Sequence, residues 1–520
     1  MIGAMTLDPR FAEALARLPD YLGGHVLVSV SALALGLAVS LPLAFASVHR
    51  SLLRGGLLAA ASVVQTIPGL ALLALFYPLL LALAALAERA FGHGFSALGF
   101  LPSVLALALY AMLPVLRNTV TGLQGLDRRY REAARVIGMS ERQSLREIEL
   151  PLALPVIMAG IRTAAVWVIG TATLSTPIGQ TSLGNYIFTG LQTQNWVFVV
   201  VGCVAAAALA LLVDQLLALM QAGAALRDRR RVGLGAFGLV ALTAAALLPS
   251  LARPQATYIV GAKTFTEQYV LAALIQDRLA DAGLSAARRQ GLGSNVLFDA
   301  LAAGEVDVAV DYSGTLWVNR MQRRDVPPRE TLLAELSQWL MQQHRIRLVG
   351  SLGFENAYTL AMKRQRAEAL GIRTVADLAA HAGSLTIASD YEFFARPEWQ
   401  ALRTAYGLTF RTQRTLQPEF MYAALAAGEA DVVSAYTSDG QIATNDLVVL
   451  ADVKHVIPPY DAIVLLSPKR ANDRALTEAL TPLIGAIDVA AMRKANAAAS
   501  TGASTPEQAA AALRARLRAR

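Results

Sequence analysis

Two tyrosines stand at matching places in a repeated stretch of this chain. "ALAAGEVDVAVDYSGT" begins at Ala300 and "ALAAGEADVVSAYTSDG" at Ala424, and the two align without a gap over fifteen residues at an offset of 124. Each copy runs from a helix end through a Gly-Glu step (Gly304-Glu305, Gly428-Glu429) into a short apolar strand closed by Tyr312-Ser313 or Tyr436-Thr437. Ligands of open α/β sheets sit beyond strand ends. The spacing therefore predicts two aromatic rings, one from each of two lobes, facing each other across a cleft. The competing reading is a duplicated packing unit with both tyrosines in the core. Upstream, a strand is predicted at 258–261. It leads to Lys263, one of few lysines in an arginine-rich chain, and Thr264-x-x-Glu267 fits a capping box that opens a helix. No nucleophile–base–acid set or metal-ligand spacing appears, and the six histidines are scattered. The single cysteine, Cys203, rules out an intrachain disulfide.

The elements that carry these residues fall into two halves. The chain has 520 residues, 55% hydrophobic and 16% charged, and a mean hydropathy of +0.45. That is too apolar for a purely soluble protein, and the apolar residues concentrate before about residue 252. Six stretches are long enough to cross a bilayer, near 25–48, 57–86, 98–118, 152–174, 196–221 and 232–252. Pro68 is expected to kink or begin a helix within the second. Basic residues follow the first span (His49, Arg50, Arg54), the third (Arg128, Arg129, Arg131, Arg135, Arg142, Arg146) and the fifth (Arg227, Arg229, Arg230, Arg231). Basic loops favour the cytoplasm. The chain is thus expected to start outside and, after six crossings, to place everything beyond about 253 outside as well. The sixth span then serves as tether, and no cleavable signal is needed. The net charge of +8 reports this topology rather than nucleic-acid binding.

The loop after the third span reads "EAARVIGMSERQSLREIELPLALP". Its marks are Glu132-Ala133-Ala134, then Gly138, then Ile148, Leu150 and Pro151. Small alanines allow close approach, and a glycine permits a sharp turn between two short helices. Segment 127–155 resembles the coupling loop of permeases in binding-protein-dependent, ATP-driven importers. The resemblance implies that it docks on a separate cytoplasmic ATPase subunit. "GQTSLGNYIFTGLQTQNW" also resembles the osmoprotectant branch of that family. No G-x-x-x-x-G-K-[ST] loop is present, so hydrolysis is assigned to a partner. The resemblance further implies a homodimer of permease domains in a bacterial cytoplasmic (inner) membrane.

From 257 on, short strands alternate with helices, an α/β pattern. "GAKTFTEQY", "GLGSN", "DYSGT", "ENAYTLAM", "AYTSDGQI" and "KHVIPPYDA" resemble the binding proteins of glycine betaine, choline and carnitine importers. Together the two resemblances imply a six-helix all-α transmembrane permease domain (1–252) fused to an extracytoplasmic two-lobed α/β domain of type II (253–520). Lobe 1 is expected at 257–357 and 456–520, and lobe 2 at 358–455. The resemblance assigns Tyr312, Tyr358 and Tyr436 to an aromatic cage for a trimethylammonium group, with Tyr422 as a fourth ring. It assigns Lys263, Thr315 and Arg396 to a carboxylate or other polar end, and Asn356 to the cleft. Each desolvated ring would contribute about 0.5–2 kcal/mol. "DYSGT" and "FFARPEW" depart from the family's usual text, which points to a larger or different ligand, with ergothioneine as the alternative. No cofactor is implied. A membrane-tethered ligand sensor is the rival from another class, and the coupling loop argues against it. "EQAAAALRARLRAR" reads as an exposed basic helix or a frayed tail.

Overall fold

The computed structural model describes residues 9–48, 50–91, 95–193, 195–251, 256–416 and 418–518. His49 and the boundary expected at 252–253 lie outside them. The chain divides into two compact units, one formed by residues up to 188 with 196–254, the other by 189–195 with 255–520.

Up to residue 251, helices α1 (Pro9–Ser47), α2 (Ser51–Thr66), α3 (Gly69–Phe91), α4 (Phe100–Gln124), α5 (Arg128–Val136), α6 (Glu141–Ser144), α7 (Leu150–Ala172), α8 (Gly184–Gln192), α9 (Trp196–Ala225) and α10 (Arg229–Leu251) follow in order, all in the first unit except the end of α8. Six segments are long and apolar enough to span a membrane: Arg10–Ser47, Gly69–Phe91, Phe100–Gln124, Glu141–Ile178, Trp196–Ala225 and Arg229–Leu248. The stretch read as one span over 57–86 is two helices. Ile67, at φ −73° and ψ 127°, takes the extended backbone that a following proline imposes, and Pro68 thereby separates α2 from α3. Arg162 of α7 meets Asp214 of α9 bidentately, with both N–O distances 2.9 Å, and also donates to Gln221 at 2.8 Å. A pair satisfied in this way is how charges are tolerated between spanning helices.

The second unit holds two five-stranded sheets. Strands β1 (Tyr258–Lys263), β2 (Ala286–Leu292), β3 (Val308–Tyr312), β4 (Arg347–Glu355) and β10 (Asp461–Leu466) form one, in the order β2-β1-β3-β10-β4. Strands β5 (Tyr358–Lys363), β6 (Thr386–Ser389), β7 (Thr412–Thr415), β8 (Val432–Tyr436) and β9 (Leu447–Val449) form the other, in the order β7-β6-β8-β5-β9. Each sheet has three parallel strands followed by two antiparallel to their neighbours. The chain passes between the sheets at 355–358 and again at 449–461, where the Asn356 amide donates to Tyr460 O at 2.9 Å.

The sequence repeat coincides with this duplication. Gly304 (φ +70°) and Gly428 (φ +76°) end their helices in the left-handed region, where glycine costs least. Asp307 and Asp431 then each latch their strand to its parallel neighbour, β1 and β6 respectively. They accept from the Ile259 amide at 2.8 Å and the Thr386 amide at 2.9 Å, and their own amides donate back to the same two residues. Glu305 pairs with Arg289 of β2, and Glu429 with Arg414 of β7. Gly, Glu and Asp of the repeat are therefore accounted for by packing and strand registration.

Two local expectations are corrected. The helix after β1 is α11 (Thr266–Asp281), its N-cap is Phe265, and no side chain caps it. Thr264 and Glu267 do not form a capping box, because the Glu267 carboxylate is turned into a buried network described below. The C-terminal segment is neither frayed nor free. Residues Pro506–Arg518 form a helix whose Ala509, Ala510 and Leu513 are buried. Its arginines pair outward, Arg514 and Arg518 with Asp281 and Arg516 with Asp488.

Candidate functional site

Between the two sheets lies a cavity of about 270 Å³. The start of α11 supplies Thr264, Phe265, Thr266 and Glu267. The first crossover supplies Asn356 and Tyr358. The end of β8 and the loop beyond it supply Ser434, Tyr436, Ser438, Asp439 and Gln441. Met421, Tyr422, Asp390, Asn496 and Ser500 complete the wall. Two carboxyl groups anchor it, Glu267 buried and Asp439 half-buried. Glu267 accepts from Tyr312 Oη at 2.6 Å, Asn356 Nδ2 at 2.8 Å and Asn496 Nδ2 at 2.7 Å. Asp439 accepts from the Tyr422 hydroxyl and from the Gln441 amide at 2.9 Å. Burial pushes both carboxyls above their ordinary values, opposed in each case by these hydrogen bonds. Among the described residues that line the cavity, none is lysine or arginine.

The rings group around Tyr358. Its centroid lies 4.8 Å from that of Tyr436, 5.5 Å from Phe393 and 5.8 Å from Tyr460, and Tyr436 Oη donates to Tyr358 Oη at 3.1 Å. The Arg396 guanidinium sits 4.7 Å over the Tyr358 ring. Arg396 is buried, pairs with Glu398 at 2.9 Å and donates to Tyr460 Oη at 3.3 Å. Burial, the largest single effect, disfavours its charge, but the Glu398 hydrogen bond and the neighbouring Tyr358, Tyr460 and Glu398 together outweigh this and raise its pKa.

The residues singled out in the sequence separate into two sets. Tyr358, Tyr422, Tyr436 and Asn356 come together at the cavity wall. Tyr312, Lys263, Thr315 and Arg396 do not line it. Tyr312 is 4% exposed and stacks on Phe265 at 6.0 Å, behind Glu267, whereas Tyr436 is 37% exposed. The two repeated tyrosines thus occupy unlike environments. Lys263 is buried against Asp311 at 2.5 Å and lies 5.3 Å over the Tyr312 ring. Thr315 is half-buried on the helix Ser313–Asn319. The preceding Gly314 faces the Tyr460 ring, which a β-carbon would approach to 2.5 Å.

Glu267, Asp439 and Asn496 line the cavity without being legible as site residues in the sequence. Tyr460 does not line it but packs behind Tyr358, and its place beside a double proline at a crossover is the available signal. The spacing of Glu267 fits a cap, a local role that spacing cannot distinguish from a long-range one.

The coupling segment is built from two consecutive caps. Helix α5 ends in a Schellman motif, with the Met139 amide donating to Ala134 O and the Gly138 amide to Arg135 O, both at 3.0 Å. Gly138 supplies the required φ of +80°. Helix α6 then opens on a capping box between Ser140 and Gln143. Ala134 is buried, while Ala133, Val136 and Ile137 are exposed, the last two at 87% and 68%. Glu132 is exposed and pairs with Arg128 at 3.0 Å. Ile148 is the penultimate residue of a π-helical turn, Leu145–Glu149, just before α7, which starts with Leu150 and Pro151. Beneath, buried Glu149 accepts from Arg131 Nε at 3.0 Å and Ser144 Oγ at 3.1 Å, and Arg131 also donates to Leu123 O at 2.6 Å. One carboxylate and its arginine hold α4, α5, α6 and α7 together.

Comparison with known proteins gives two family matches. Residues 256–515 match the substrate binding domain of ABC-type glycine betaine transport systems. Residues 36–226 match the binding-protein-dependent transport system inner membrane component. The ergothioneine transport permease/ergothioneine binding protein EgtU of Helicobacter pylori (strain G27) is 28% identical over 434 residues, covering 80% of this chain and 75% of that protein. The glycine betaine/carnitine/choline transport system permease protein OpuCB of Bacillus subtilis (strain 168) is 38% identical over 199 residues, 38% of this chain and 84% of that protein. A crystal structure of a glycine betaine/carnitine/choline ABC transporter is 24% identical and covers 50% of this chain and 98% of its own, with a TM-score of 0.46.

Proposed function

The chain belongs to the family of substrate-binding domains of ABC-type glycine betaine transport systems, joined here to an inner-membrane component on one polypeptide, and from that premise we propose that its cleft captures a quaternary ammonium compound for ATP-driven import. The chain is a multi-pass subunit of the cytoplasmic membrane with an extracytoplasmic C-terminal domain, and it serves transport rather than catalysis. A separate ATPase subunit drives it through the segment around Gly138, and two copies pair through their membrane domains within the bilayer.

One observation carries the ligand assignment. The cavity joins aromatic side chains (Phe265, Tyr358, Tyr422, Tyr436) to two carboxyl groups, buried Glu267 and half-buried Asp439, with no lysine or arginine among its described lining residues. A trimethylammonium group donates no hydrogen bond, so ring faces and a negative potential are what recognise it. Titration of the full chain in detergent with trimethylated amines and their unmethylated analogues tests this. The trimethylated member of each pair is expected to bind at least tenfold tighter, and equal affinities would sink the assignment.

A second reading has its own support. Asn356 and Asn496 turn their amide NH2 groups to Glu267, and their buried Oδ1 atoms have no hydrogen-bond partner among the described residues. Buried acceptors left unpaired are costly. A betaine that also brings N–H donors would satisfy them, and ergothioneine is such a molecule. Competition between ergothioneine and glycine betaine separates the readings. Preference for ergothioneine favours the second, and loss of that preference in Asn356→Leu would tie it to the orphan acceptor.

The two carboxyls also set a pH dependence. Because the folded chain holds their protons more tightly, the stability they contribute is present in acid. It is lost as pH rises above the ordinary values of 4.5 for Glu267 and 3.8 for Asp439. A permanent cation prefers the ionised carboxylates. Its affinity is therefore expected to rise with pH over the window in which ligand-free stability falls. Calorimetric titrations and melting curves across pH 4 to about 8 check both signs.

A further inference from the structure

The loop after β8 meets a helix from the other half of the second unit. Arg493 Nε donates to Thr437 O at 2.6 Å, and Asn496 Nδ2 donates to Ser438 O at 2.8 Å, both from the helix Val489–Ser500. That helix packs on α11 in the hydrophobic core, with Ala491, Met492, Ala495 and Ala499 buried. Gly440, in the same loop, lies against the backbone of this helix. A β-carbon there would overlap the backbone of Ala497 and come within 2.7 Å of Asn496 C. The backbone of Gly440 is ordinary right-handed helical (φ −65°, ψ −27°), so alanine would suit the conformation. Close approach alone requires glycine at this position.

We propose that the Thr437–Gln441 loop and the helix Val489–Ser500 form a closure latch, in which Gly440 and Arg493 are positioning residues that seal the cleft around its ligand. The assignment rests on the ligand-capture reading above. Neither residue lines the cavity, whereas their neighbours Ser438, Asp439, Gln441, Asn496 and Ser500 all do. Forming the latch therefore brings wall residues from both halves together. A ligand that favours the closed state gains affinity to the extent that this contact forms. Gly440→Ala obstructs the contact sterically with no change of charge. Arg493→Gln removes the charge-assisted hydrogen bond to Thr437 O. It also removes a cation that acts on Asp439, so agreement between the two variants is the criterion.

The test uses the full chain with Cys203→Ser and spin labels at Gln343→Cys and Thr409→Cys, both exposed and one in each half. Distances between the labels are measured by pulsed electron resonance, with and without glycine betaine or ergothioneine. In both variants the distribution is expected to lengthen, and affinity to fall at least tenfold, with Arg493→Lys recovering more than Arg493→Gln. Far-ultraviolet circular dichroism verifies that the fold is kept. Unchanged distances and affinity in Gly440→Ala would overturn the latch. If the parent chain binds neither compound, the ligand reading fails and the distance distributions alone decide the latch.

Discussion

Replacing Gly138 by proline is expected to abolish ATP-driven uptake while leaving ligand affinity unchanged. Gly138 holds φ at +80°, whereas proline is confined near −65°. Proline also lacks the amide that donates to Arg135 O. The Schellman turn between α5 and α6 cannot form, and exposed Val136 and Ile137 lose their fixed presentation. Alanine is the graded control: it keeps the amide and costs about 1–2 kcal/mol for the left-handed backbone. Partial uptake is expected for Gly138→Ala and none for Gly138→Pro, in vesicles that contain the chain and the proposed ATPase partner. Normal uptake by the proline variant would mean that this turn does not transmit the ATPase stroke. A parallel change at Glu149 should act from beneath. Glu149→Leu strands the Arg131 cation in a half-buried site; breaking a fully buried pair costs about 3–5 kcal/mol, and the partial exposure of Arg131 makes the expected cost here smaller. That change is therefore expected to lower the stability of the membrane unit as well as uptake.

The second large effect separates the two repeated tyrosines. Tyr312→Ala is expected to destabilise the binding domain by about 3–5 kcal/mol, the usual range for removing a buried aromatic side chain. It opens a void behind Phe265 and takes a donor from Glu267. Tyr436→Ala is expected to leave the melting temperature nearly unchanged, because Tyr436 is 37% exposed, and to weaken ligand binding about tenfold. Tyr436→Phe keeps the ring face and should bind almost normally. Melting curves and titrations of the same preparations provide both readouts. If Tyr312→Ala stayed as stable as the parent and lost only affinity, Tyr312 would be a ligand-contacting ring and the packing argument would be wrong.

Much of this protein follows from the sequence alone. Spanning helices must satisfy their backbone internally and need long apolar runs, so the membrane unit announces itself by composition. The turn at Gly138 is equally local: a helix end, a left-handed residue and a new cap lie within a few positions of one another. The repeat was legible as a duplication because helix, turn and strand recur in register, and its Gly, Glu and Asp perform the same packing tasks in both sheets. What spacing could not reveal was the direction each equivalent side chain finally faces. Tyr312 and Tyr436 share a sequence context, yet the first meets Glu267 and the second meets Tyr358. Glu267 looked like a cap because its neighbours three and four residues away were visible, while its partners Tyr312, Asn356 and Asn496 lie 45, 89 and 229 residues along the chain. Arg396 and Lys263 carry the charge a ligand carboxylate would seek. Where that charge goes depends on Glu398 and Asp311, which folding brings against them. Local propensity fixes which elements form, but the partner of a long polar side chain is chosen by burial: a charge excluded from water takes whichever counter-charge the packed fold presents.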